Sequence, residues 1–67
     1  MRIIFKIKEI RLAKKMTIEE LNRATGISIS HINNIENNIK QPTIAVLVLL
    51  KKALGVNNVE DLYEVKW

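Results

Sequence analysis

Between Met16 and Asn38 the chain reads MTIEELNRATGISISHINNIENN, and the capping residues in this stretch leave its local structure little freedom. Thr17 followed three residues later by Glu20 is a capping box, in which the hydroxyl takes the Glu20 amide proton and the carboxylate reaches back to the Thr17 amide. A helix is therefore expected to start at Ile18. Thr25-Gly26 stops it, because glycine enters the left-handed region needed at a helix C-terminus without steric cost. Ser28 offers a second N-cap, and Ile32 and Ile35 fall on one face of the helix it opens. The other face carries Ile29, Ser30, Asn33, Asn34 and Asn37, short, rich in amides and free of acid. Such a face, on a helix that leans on another, suits base edges in a DNA major groove.

Length and composition narrow the alternatives. A chain of 67 residues holds one small core, and is expected to be a single domain spanning 1–67 with the helix-turn-helix unit at about 17–37. There is no cysteine, so disulfides and thiolate metal sites are excluded and packing must carry the fold. Eleven Lys and Arg against seven Asp and Glu give a net charge of +4, which suits a polyanion. Phe5, Tyr63 and Trp67 are the only aromatics, too few for an RNA-stacking platform. No secretory signal pattern is present, and the apolar run Ile44 to Leu50 is far too short to span a bilayer. A soluble, cytoplasmic protein is expected. One His, no paired carboxylates, no glycine-rich phosphate loop and no metal-ligand cluster argue against an enzyme, a cofactor and a small-molecule ligand.

Punctuation divides the chain into five helical pieces, roughly Phe5 to Lys15, Ile18 to Thr25, Ile29 to Asn37, Ile44 to Leu54 and Val59 to Tyr63. In the first, Ile7 and Ile10 share a face with Ile3 and Lys14, and Met16 closes the core behind it. Pro42 makes 38–41 a loop, and Thr43 caps the fourth helix. That helix has no polar face in its first two turns. One stripe, Ile44, Leu47, Leu50 and Leu54, suffices for an internal core. Ala45, Val48 and Leu49 are surplus and are read as a dimer interface, unless the fifth helix and the tail cover them. Asn58 and Asp61 resemble a weak capping box. The alternating ends, Arg2 to Phe5 and Tyr63 to Trp67, are strand-like and either pair as a short ribbon or fray.

From about Ile7 to Val65 the chain resembles the Cro and phage-repressor (XRE) class of helix-turn-helix domains. The resemblance rests on Ile10-Arg11, Met16-Thr17, Glu20-Leu21, Gly26-Ile27-Ser28, Ile32, Ile35-Glu36, Pro42-Thr43 and Leu54-Gly55-Val56 in that order. It implies an all-α, compact five-helix, lambda-repressor-like fold whose helix at about 29–37 enters the major groove. It implies also that Arg11 and Glu36 form a structural ion pair. Carried over by position, Ile29, Ser30, Asn33 and Asn34 would contact bases, whereas Asn37, Asn38, Lys40 and His31 would hold phosphates. Ile18 stands where relatives usually have a phosphate-binding Gln, Ile29 where a long polar residue meets the first base, Asn22 where a small Ala lets the helices close, and Asn38 in place of a Gly. The function implied is a sequence-specific regulator of transcription, a repressor, binding double-stranded DNA as a homodimer. The alternative is a protein-interaction module on the same fold, antitoxin-like or a partner of another DNA-binding protein.

Overall fold

The computed structural model describes residues 1–67. Strand β1 (Arg2–Phe5) leads into helix α1 (Ile7–Ala13), followed by α2 (Ile18–Thr25), α3 (Ile29–Glu36) and α4 (Ile44–Leu54). A four-residue 3-10 turn, Val59–Leu62, then feeds strand β2 (Tyr63–Lys66). There are four α-helices, not five. The fifth expected helix has only four residues between Asn58 and the strand that follows, so one tight turn is all it completes. Half of its capping box forms, with the Asn58 N–H donating to Asp61 Oδ2 at 3.2 Å.

The N-caps follow the sequence. Thr17 Oγ1 accepts from the Glu20 N–H at 3.1 Å, and the Thr17 N–H donates to Glu20 Oε1 at 2.9 Å. The bond from the Thr17 N–H, and after it the Thr17 hydroxyl, hold the Glu20 carboxyl below its ordinary range. Ser28 and Thr43 cap α3 and α4 in the same way, through the His31 and Val46 amides. The C-termini share a device that the sequence discloses less evenly. At the end of α1 the Met16 N–H donates to the Arg11 carbonyl and the Lys15 N–H to that of Leu12, both at 3.0 Å, with Lys15 in the left-handed region at φ 57°. This Schellman closure ends α1 at Ala13, two residues before the expected limit, although lysine there costs about 1–2 kcal/mol. Asn38 (φ 58°) closes α3 identically, with the Ile39 N–H on the Asn34 carbonyl at 2.8 Å.

The ends do not fray. β1 pairs antiparallel with β2, Arg2 opposite Lys66 and Phe5 opposite Tyr63, and the last two rings meet edge to face with centroids 6.2 Å apart. Phe5 and Ile3 thus belong to a strand rather than to the first helix. The Phe5 ring still packs on the core, which consists of Ile7, Leu21, Ile27, Ile32, Ile35, Leu47, Leu50, Leu54 and Leu62.

The expected core stripe on α4 needs one correction. Leu47, Leu50 and Leu54 are buried, but Ile44 is 79% exposed. At 100° per residue the three leucines centre on a line about 90° around the helix from Ile44, so a single face cannot bury all four. Ile44 instead joins Ala45, Val48 and Leu49 on an outward arc. Val48 is 50% and Leu49 43% exposed, so neither the 3-10 turn nor β2 covers them. No helix is long and apolar enough to cross a membrane.

Candidate nucleic-acid interface

Helix α3 projects its side chains in two directions. Ile32, Ile35 and Glu36 point into the protein, where α2 and α1 pack against the helix. Ser30, Asn33 and Asn37 are exposed on the opposite side, with Asn34 half-buried beside them. Asn37 caps the helix rather than extending it. The amides are not equivalent. Asn37 Nδ2 donates to Asn33 Oδ1 at 3.2 Å, which engages one of the two lone pairs of that oxygen. Asn34 has neither side-chain atom engaged, so its oxygen and nitrogen remain available for bidentate pairing with an adenine edge. His31 is half-buried.

The acid of α3 is turned inward. Arg11 Nε donates to Glu36 Oε2 at 2.7 Å and Nη2 to Oε1 at 3.1 Å, a bidentate pair whose side chains are 10% and 3% exposed. Arg11 Nη1 also donates to the Met16 carbonyl at 2.9 Å, so the guanidinium ties α1, the following turn and α3 together. The bond to Glu36 raises the Arg11 pKa against the opposing effect of burial. The consequence for the surface is electrostatic: the exposed side of α3 carries no negative charge.

The two isoleucines at positions where polar contacts were expected part ways. Ile18, first residue of α2, packs half-buried against the core, whereas Ile29 stays exposed at the start of α3. Asn22, in place of a small residue, does not prop the helices apart. Its Nδ2 donates to the Ile27 carbonyl at 2.6 Å and clips the turn between α2 and α3. Asn38 does two jobs, taking the left-handed conformation and accepting the Phe5 N–H on Oδ1 at 3.3 Å. Lys40 is exposed in the same loop. Neither the Met16 carbonyl nor these two asparagine clips had a signal in the sequence, since each depends on a neighbour brought close by the fold. No cluster of three His, Asp or Glu side chains converges anywhere.

Residues 7–57 match the family described as Helix-turn-helix. Among curated proteins, an uncharacterized HTH-type transcriptional regulator y4dJ of Sinorhizobium fredii is 35% identical over 51 residues, 76% of this chain. The chain spans 66% of that relative's length, just under two thirds. Among solved structures, the restriction-modification controller protein C.Esp1396I is 42% identical, with 79% of this chain and 69% of that one covered at a TM-score of 0.73. Its tetramer in complex with its natural 35 base-pair operator matches equally, at a TM-score of 0.73 with 79% and 70% covered. The controller protein C.AhdI from Aeromonas hydrophila, 23% identical with 78% and 79% covered, shares the fold at a TM-score of 0.74.

Proposed function

Because the chain belongs to the helix-turn-helix family, we propose that residues 1–67 form one domain of a cytoplasmic transcriptional repressor that binds double-stranded DNA sequence-specifically as a homodimer. The observation that carries the reading is the exposed face of α3, where Ser30, Asn33, Asn34 and Asn37 lie together while the helix's acid is buried against Arg11. The operator complex of C.Esp1396I supports carrying DNA binding over to this chain. In this reading Ile29, Ser30, Asn33 and Asn34 meet bases, with Asn34 the principal reader and Ile29 placed for a thymine methyl. Asn37, Asn38, Lys40 and His31 set register on phosphates. Ala45, Val48, Leu49 and Ile44 face the second copy, which sets the two α3 helices about one helical turn of DNA, roughly 34 Å, apart.

The experiment is a selection of duplexes from a randomised library, followed by binding measurements over a range of salt. The affinity should fall as salt rises, through release of counterions from neutralised phosphates. Asn34→Ala should cut discrimination between the selected duplex and its single-base variants by about 1–3 kcal/mol, roughly 5- to 150-fold. Salt-independent binding, or discrimination untouched in Asn34→Ala, rejects the reading.

A further inference from the structure

Outside the helix-turn-helix unit the surface holds one cleft, of about 490 Å³, between β1 and the loop that follows α3, with Ile3, Ile4 and Phe5 forming an apolar wall. Its charged side chains, Arg2 and Lys40, are both basic, and Asn38 and Gln41 add amides to the lining. Backbone donors add to this. The Lys6 N–H points across the ribbon to the Leu62 carbonyl at 2.7 Å, whereas the Phe5 N–H points the other way, to Asn38 Oδ1 at 3.3 Å. Alternation along an antiparallel strand then places the Ile3 N–H on the same outer edge as that of Phe5, at the cleft. Asn38, its oxygen occupied, offers Nδ2.

Arg2 is also the unneutralised cation of the ribbon. It lies directly opposite Lys66, a like-charge pairing that weakens a ladder, and Lys66 is drawn to Glu64 at 3.4 Å. An anion beside Arg2 would relieve that repulsion. We propose that this cleft holds a phosphodiester group of the DNA backbone, with Arg2 supplying the charge, as a contact beyond the helix-turn-helix unit. The inference rests on the DNA-binding reading above. A duplex is favoured over a free anion because the cleft shares Asn38 and Lys40 with the loop that follows the groove-entering helix. A backbone engaged there has only to continue along the protein to meet Arg2.

The test compares the unmodified chain with Arg2→Ala, Arg2→Lys and Lys52→Ala on the selected duplex. Loss of one phosphate contact lowers the salt slope by about 0.9, so the ratio of Kd values between about 50 and 200 mM salt should shrink roughly 3.5-fold in Arg2→Ala. Sequence preference should not change. Arg2→Lys should keep the slope, since a point charge suffices for a phosphate. Lys52→Ala, which removes the same charge from the far end of α4, should keep it as well. An unchanged slope in Arg2→Ala, with circular dichroism intact, overturns the cleft while leaving the DNA-binding reading standing. Equal loss in Lys52→Ala also overturns it, because net charge alone would then explain the effect. Saturation of the Ile3 amide resonance by inorganic phosphate in the absence of duplex marks a free-anion site and overturns it too. If the unmodified chain shows no salt-dependent binding, both readings fall together.

Discussion

Replacing Glu36 by Gln preserves the side chain's volume and one oxygen acceptor but removes the charge that Arg11 faces. The two side chains are almost wholly out of solvent, so water cannot substitute for the lost carboxylate. Arg11 would keep its bond to the Met16 carbonyl, yet hold a buried charge with no counter-ion, at a cost of about 3–5 kcal/mol. A chain of 67 residues, at about 0.05–0.15 kcal/mol per residue, has roughly 3–10 kcal/mol of stability in all. Glu36→Gln therefore removes roughly a third of it at the least, and at about 4–8 °C per kcal/mol Tm should fall by about 12 °C or more. Arg11→Met combined with Glu36→Leu takes both charges away and should cost less than Glu36→Gln alone, since apolar replacement of a buried pair is often neutral. Thermal and urea unfolding by circular dichroism would be compared at one protein concentration, because a dimer's midpoint depends on it. A loss below about 1 kcal/mol in Glu36→Gln, the range of an exposed pair, would refute the argument. So would a double variant no more stable than the single one.

Leu49→Lys places a charge on the exposed arc of α4 without touching the buried leucines, and should convert a dimer to a folded monomer in sedimentation runs. An unmodified chain that already sediments as a monomer, or a variant that still dimerises, removes the interface. The Glu20 carboxyl titrates below its ordinary range in the folded chain, so it binds its proton more weakly there than when unfolded. Its stabilising contribution is present above the unfolded pKa and is lost as pH falls through the folded one. Glu20→Gln should accordingly flatten the acid side of the curve of Tm against pH, and an unaltered curve would show that the capping box adds nothing measurable.

Much of the helical framework was legible because its signals are local. Thr17 with Glu20, Ser28, Gly26, Thr43 and Gly55 act within one turn of the residues they cap, and the bounds of α2 and α4 follow from them directly. The exposed side of α3 was equally open to reading, since a helical period separates Ile32 and Ile35 from Ser30, Asn33 and Asn34 wherever the helix is placed. The Arg11–Glu36 pairing came from the family resemblance alone, and the structure brings the two together at 2.7 Å. Lys15 was missed because a lysine in the left-handed region has no signature in the sequence. Phe5 was misplaced for a related reason: an apolar residue just before a helix fits that helix's pattern as well as a strand's.

What the sequence by itself determined is where α2, α3 and α4 begin, where α2 and α4 end, and which side of α3 is polar. Caps and periodicity operate over a few neighbouring residues, and no tertiary partner is needed to express them. The tertiary structure alone decided whether the two ends pair, which of the apolar residues on α4 remain outside, which amide of α3 is left unengaged, and where Arg2 comes to lie. Each of these depends on what stands across from a residue once the chain has closed, and that partner lies far away along the sequence. Strand pairing joins Arg2–Phe5 to Tyr63–Lys66, and the closed fold brings Arg2 and Lys40 to the same cleft. Ile44 stays in solvent because three leucines a quarter-turn away already fill the core face of α4.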